Sequence, residues 1–83
     1  VSTVEPIDYV REILAKHGRL SADVMSLAPA DDLYAVGLTS LTTVHIMLAL
    51  EDQFGVEFPD RLLGRKTFGS IQSIVEAVEE LVG

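Results

Sequence analysis

The chain contains no cysteine and no tryptophan. Without thiols it forms neither a disulfide framework nor a thiolate metal site, so any thiol chemistry must come from something attached to it. Aromatic residues make up only 6% of the sequence, which leaves Leu, Ile and Val to build the core and suits packed helices. Positive charge is also scarce: six Lys and Arg stand against thirteen Asp and Glu, a net charge of −7. Phosphates are repelled by such a surface, which argues against nucleic-acid binding and favours partners that present Lys and Arg. No apolar run approaches the roughly 20 residues that span a bilayer. The first residues lack the charged start and apolar stretch of a signal peptide. The expected location is the cytoplasm, with no membrane attachment.

What is present is enough to fold. Hydrophobic residues make up 48% of the 83 positions, which argues against disorder, and the length suits a single domain over residues 1–83. Ile7, Val10, Ile13 and Leu14 recur at helical spacing. Ser2 or Thr3 can cap this first helix, Glu5 complements its dipole, and Lys16, His17 and Gly18 mark its end. A long connection follows, roughly Arg19 to Leu38, with Pro29, Asp31, Asp32 and Gly37. Connections longer than about 15 residues are uncommon in compact domains and often functional. This one is rich in apolar residues, among them Leu20, Val24, Leu27, Leu33 and Val36, so it is expected to pack on the helices, with room for a short turn of its own.

The second helix is expected from Ser40 to Phe54. Its apolar residues spread over most of the circumference, which places it at the centre of the bundle. Thr42, His45, Ala49, Asp52 and Gln53 form the one stripe without large apolar residues. Gly55 ends the helix. Pro59 and Asp60 open a short third helix, Arg61 to Leu63, stopped near Gly64. The last helix starts at Ser70, its N-cap, and carries Ile71, Ile74, Val75, Val78, Leu81 and Val82 at i, i+3, i+4 spacing. The expected fold is all-α, a bundle of three main helices and one short one.

The segment before the second helix is the one that can carry chemistry. Gly37 leads into Thr39 as a capping residue and Ser40 at the first helical position. A hydroxyl there is exposed and lies beside unpaired N–H groups and the positive end of the helix dipole, a place that tolerates a phosphodiester. Local physics alone also allows Thr39 and Ser40 to be nothing more than a helix start.

From Asp32 to Pro59 the chain resembles the acyl carrier protein family. That family carries an Asp-Ser-Leu motif before a long apolar helix, then Glu-x-x-Phe-Gly-(Ile/Val)-x-(Ile/Phe)-Pro. Here Thr39-Ser40-Leu41 and Glu51-Asp52-Gln53-Phe54-Gly55-Val56-Glu57-Phe58-Pro59 match on both sides of the site. The resemblance implies a non-catalytic carrier. Ser40, flanked by Thr39 and Leu41, would be modified by a phosphopantetheinyl transferase with coenzyme A as donor. The thiol of the 4'-phosphopantetheine would then hold an acyl or aminoacyl group as a thioester. Thr39 departs from the family's usual Asp, which helps present the serine to the transferase and its metal ion.

A narrower likeness runs through Arg11–Lys16, Asp32–Ala35 and Phe58–Phe68. These stretches resemble small bacterial carriers that serve amino acid:carrier protein ligases, enzymes similar to the catalytic part of a seryl-tRNA synthetase. Fatty-acid carriers of the family usually have acidic residues along the exposed stripe of the second helix; here only Asp52 is acidic. The implied partners are the transferase, a dedicated loading ligase and a downstream transferase or synthase, met by a monomer. Thr42, His45, Leu48, Arg65 and Lys66 are the residues expected at those partners. Leu41, Val44 and Leu48 share one side of the helix and either support docking near the arm or line the core, with packing the plainer role for Val44 and Leu48.

Other readings find less support. Ser40, His45 and Asp52 suggest a hydrolase, but five helical residues turn about 500°, which points His45 roughly 140° away from Ser40. No Gly-x-Ser-x-Gly elbow is present. His17 and His45 belong to different helices and lack metal-ligand spacing. A helical interaction module without a prosthetic group remains the alternative to a carrier.

Overall fold

A computed structural model of the chain describes residues 5–83. Four α-helices form, α1 (Pro6–His17), α2 (Ser40–Phe54), α3 (Arg65–Phe68) and α4 (Ile71–Val82), with 3-10 turns at Val24–Ser26, Tyr34–Val36 and Asp60–Leu62 and no strand among the described residues. Each helix start has a local cause. Pro6 occupies the first position of α1, where its missing N–H costs nothing and its fixed φ suits the helix. Glu5 is the cap, and its N–H donates to the Asp8 carboxylate at 3.1 Å. The expected caps, Ser2 and Thr3, lie outside the described residues. At α4 the Ser73 N–H donates to Ser70 Oγ at 3.1 Å while the Ser70 N–H donates to Ser73 Oγ at 3.2 Å, a reciprocal capping box.

The core is aliphatic. Val10, Ile13 and Leu14 of α1 meet Ile71, Ile74, Ala77 and Val78 of α4, and α2 adds Ile46 and Leu50. Full burial of a Leu or Ile contributes about 1.5–3 kcal/mol each. Few aromatics join the core: buried Phe58 packs against buried Phe68 at 5.5 Å, and Tyr9 sits edge-on to Phe54 at 5.6 Å.

The connection over 19–38 is a stitched part of the scaffold. Half-buried Arg11 on α1 donates from Nη1 to the carbonyls of Val24 and Leu27 at 2.8 and 2.9 Å. The Ser21 N–H donates to the Val36 carbonyl at 2.8 Å, and the Leu33 N–H to the Gly69 carbonyl at 2.8 Å. The Gln72 N–H, one of the unpaired donors in the first turn of α4, finds the Pro29 carbonyl at 2.9 Å. Leu33 and Leu38 are buried beneath these stitches. Beyond α2, Glu51 Oε2 accepts the Phe58 N–H at 2.9 Å and folds the chain back after Gly55.

Two expectations are corrected. Asp60–Leu62 forms a 3-10 turn, while the one-turn helix α3 lies after Gly64, at Arg65–Phe68. Gly64 has extended backbone (φ −100°, ψ 167°) and serves as the N-cap of α3, so it opens a helix where a stop is expected. The second correction concerns α2, which is not surrounded on all sides. It buries Thr42, Ile46 and Leu50, one i, i+4 stripe, and leaves Leu41, Val44 and Leu48 at 68%, 46% and 53% exposure. Thr42, expected on the open stripe, is therefore on the inner face.

Candidate functional site

The start of α2 is built from hydroxyls. Thr39, with extended backbone (φ −118°, ψ 169°), is the N-cap. Its Oγ1 accepts the Thr42 N–H at 3.2 Å, and the Thr39 N–H donates to Thr42 Oγ1 at 2.9 Å. A Thr thus fills the place of the Glu or Gln found in the usual capping box. Thr42 Oγ1 and Thr43 Oγ1 donate to the Thr39 carbonyl at 3.1 and 2.7 Å, and the Thr39 and Thr42 hydroxyls share a hydrogen bond at 3.0 Å. Thr42 is buried within this network, so its side chain does not lie on the open stripe where a partner contact is expected.

Ser40 stands apart from its neighbours. It is exposed at the first position of α2, and among the described residues no group hydrogen-bonds its hydroxyl. Of the four donors left over at a helix start, those of Thr39 and Thr42 are taken by the capping box. Those of Ser40 and Leu41 have no partner among the described residues. A reactive hydroxyl, two free N–H groups and the positive dipole end therefore coincide, which suits a negatively charged ester.

Gly37 delivers the chain to this point. Its φ of 109° lies in the left-handed region that a side chain resists, and it closes the Tyr34–Val36 turn through its N–H to the Tyr34 carbonyl. The same turn holds Tyr34 beside Ser40. A groove of about 400 Å³ opens there, lined by Tyr34, Ser40, Thr43, Val44, Leu63, Gly64 and Arg65.

The expected site residues thus divide among three surfaces. Ser40 and Arg65 share the groove. His45 and Leu48 line a separate, open depression with His17, Ala49 and Asp52. Lys66 lines a third depression, together with Arg61, Glu76 and Glu80 between α3 and α4. Ser40 and His45 line different depressions. His17 and His45 do share a depression, a closeness their sequence positions conceal, yet no group of three His, Asp or Glu side chains gathers as a metal site among the described residues. Tyr34 and Leu63 are site residues that periodicity alone does not single out, since both belong to irregular connections.

The groove and the free hydroxyl fit a phosphopantetheine arm: a nucleophile at its mouth, N–H donors and a guanidinium for the phosphate, and Val44 and Leu63 for apolar contact. The comparisons support the same prosthetic group. A family model described as a phosphopantetheine attachment site matches residues 8–78. An aminoacyl carrier protein of Agrobacterium fabrum is 50% identical over 70 residues, 84% of each chain. A D-alanyl carrier protein of Streptococcus uberis is 34% identical over 71 residues, covering 84% of this chain and 90% of that one. A chain in the crystal structure of an engineered Bradyrhizobium japonicum glycine:[carrier protein] ligase, complexed with carrier protein from Agrobacterium tumefaciens and ATP, superposes with a TM-score of 0.88. That chain is 45% identical, and the match covers 93% of this chain and 100% of that one. The chain belongs to the phosphopantetheine-attachment family, non-catalytic carrier proteins whose prosthetic group is covalent 4'-phosphopantetheine.

Proposed function

We propose that this chain carries an aminoacyl group on a 4'-phosphopantetheine arm esterified to Ser40, loaded by an amino acid:carrier protein ligase. The observation that carries this reading is the exposed, unbonded Ser40 hydroxyl amid three threonines whose hydroxyls are all engaged. In the modification, Ser40 Oγ attacks the pantetheine-bearing phosphorus of the coenzyme A pyrophosphate, the P–O bond to the adenosine-side phosphate breaks, adenosine 3',5'-bisphosphate leaves, and the hydroxyl proton passes to a base of the transferase. The free N–H groups of Ser40 and Leu41 then face a site of new negative charge. When bound, the arm supplies the thiol that the cysteine-free chain lacks and holds the cargo as a thioester.

The aminoacyl cargo is supported by the 50% identical aminoacyl carrier and by the ligase complex that contains the structural relative. The outer face of α2 supports a dedicated partner. Leu41, Val44 and Leu48 are exposed, His45 lies among them, and Asp52 is the one acidic residue nearby. A basic docking patch finds little to pair with on such a face, whereas a partner with an apolar patch does. Arg65 and Lys66 would meet partners on different sides of α3. Successive visits to a transferase, a ligase and a downstream enzyme call for transient docking through a small interface.

The test is loading. The pantetheinylated chain is incubated with ATP, glycine or alanine and an amino acid:carrier protein ligase, and its intact mass is recorded. The expected result is one aminoacyl group, removable by hydroxylamine and absent from Ser40→Ala. Acylation by a fatty acyl donor with no amino acid loading would overturn the aminoacyl assignment.

A further inference from the structure

Positive side chains number six in this chain, and three of them are engaged by carbonyls or carboxylates. Arg11 is spent on the carbonyls of Val24 and Leu27. Lys16 pairs with Glu12 at 3.1 Å, and Arg61 with Glu80 at 2.9 Å. Arg65 has no carboxylate partner among the described residues and is instead held by stacking, its guanidinium carbon 3.9 Å from the centroid of the Tyr34 ring. Tyr34 is itself fixed, since its N–H donates to Asp32 Oδ1 at 3.0 Å and its carbonyl accepts the Gly37 N–H.

Stacking uses the flat face of a guanidinium and leaves its five N–H donors free in the plane. That planar fork matches two oxygens of a phosphate, as an ammonium does not. Both Arg65 and Tyr34 line the groove that opens at Ser40. Its volume of about 400 Å³ lies within the range of about 300–1,000 Å³ common to small-molecule sites. Its walls also include Val44 and Leu63, apolar side chains 46% and 45% exposed. In a chain of net charge −7, a preoriented guanidinium lining the same groove as Ser40 is the complement of a single phosphodiester charge.

We propose that Arg65, clamped on the Tyr34 ring, binds the phosphodiester of the arm on Ser40 and lays the arm along the groove over Val44 and Leu63. This rests on Ser40 as the attachment residue. Arg65 is a positioning residue: it keeps the arm on one side of α2 between partner visits, leaving Leu41 and Leu48 open for docking.

The experiment compares amide chemical shifts of the apo and pantetheinylated chains, with modification checked by intact mass. In the wild type, attachment is expected to shift Tyr34, Val44, Leu63, Gly64 and Arg65 in addition to Ser40 and Leu41. In Arg65→Gln the groove shifts should be lost while those of Ser40 and Leu41 persist, and the apo spectrum reports that the variant is folded. High salt should diminish the same groove shifts in the unmutated chain, because the contact is ionic. Shifts confined to the neighbours of Ser40 in the wild type, or groove shifts undiminished in Arg65→Gln, would overturn the proposal and leave Ser40 attachment standing. No mass gain on Ser40 removes both.

Discussion

Replacing Thr39 with Ala tests the hydroxyl network that presents Ser40. The substitution removes the acceptor that Thr42 N–H reaches at 3.2 Å and the 3.0 Å hydrogen bond between the Thr39 and Thr42 hydroxyls. Thr42 is only 6% exposed, so water replaces that acceptor poorly. The opposite half of the box survives, because Thr42 Oγ1 bonds the Thr39 backbone N–H and carbonyl, which the variant keeps. The cost is therefore that of one lost cap, about 1 kcal/mol, or roughly 4–8 °C in the thermal midpoint of a domain this size. Thr39→Asp separates hydrogen bonding from charge. It keeps an acceptor for the Thr42 N–H and adds a negative charge at the positive end of the helix dipole, a gain of about 0.3–1 kcal/mol. That gain should vanish below about pH 3, where the new carboxyl is protonated. Thermal and urea unfolding followed by far-ultraviolet circular dichroism measure both. An unchanged midpoint in Thr39→Ala, or a Thr39→Asp chain less stable than Thr39→Ala, would refute the capping account.

Arg11→Met keeps the length of the side chain but breaks both bonds to the Val24 and Leu27 carbonyls. A loss of about 2–3 kcal/mol is expected in urea unfolding, with faster amide exchange across 19–38. Leu48→Asp changes an exposed position, so stability should move by no more than about 0.5 kcal/mol. Loading by the ligase should nevertheless fall, as an increase in KM for the carrier. A loss of stability would mean that Leu48 is core after all.

The two long amphipathic helices are legible in the sequence because one buried face imposes one phase. Ile71, Ile74 and Val78 on α4, and Val10, Ile13 and Leu14 on α1, are read correctly as core. The limits of α2 are legible too, since Thr39 and Gly55 are local signals: a cap at one end and a left-handed residue (φ 65°) at the other. Its orientation is not. An apolar pattern spread around the circumference has no phase, and part of that surface, Leu41, Val44 and Leu48, faces away from the core. Thr42 illustrates the converse, a polar residue drawn inward by the bonds it makes with Thr39. The pairing of Tyr34 with Arg65 joins a 3-10 turn to the start of a one-turn helix far along the chain, and no local pattern encodes it. The Gly64 misreading has the same origin, because a glycine can end one turn or cap the next and only the surrounding backbone decides.

The central claim is that Ser40 carries the arm, and intact mass tests it most directly. The chain is incubated with coenzyme A and a broad-specificity phosphopantetheinyl transferase, and a transferase from its own source is tried in parallel. One added phosphopantetheine on the wild type and none on a folded Ser40→Ala is the predicted result. A folded wild type that stays unmodified by both enzymes, or a Ser40→Ala chain that still gains the mass, would contradict the account.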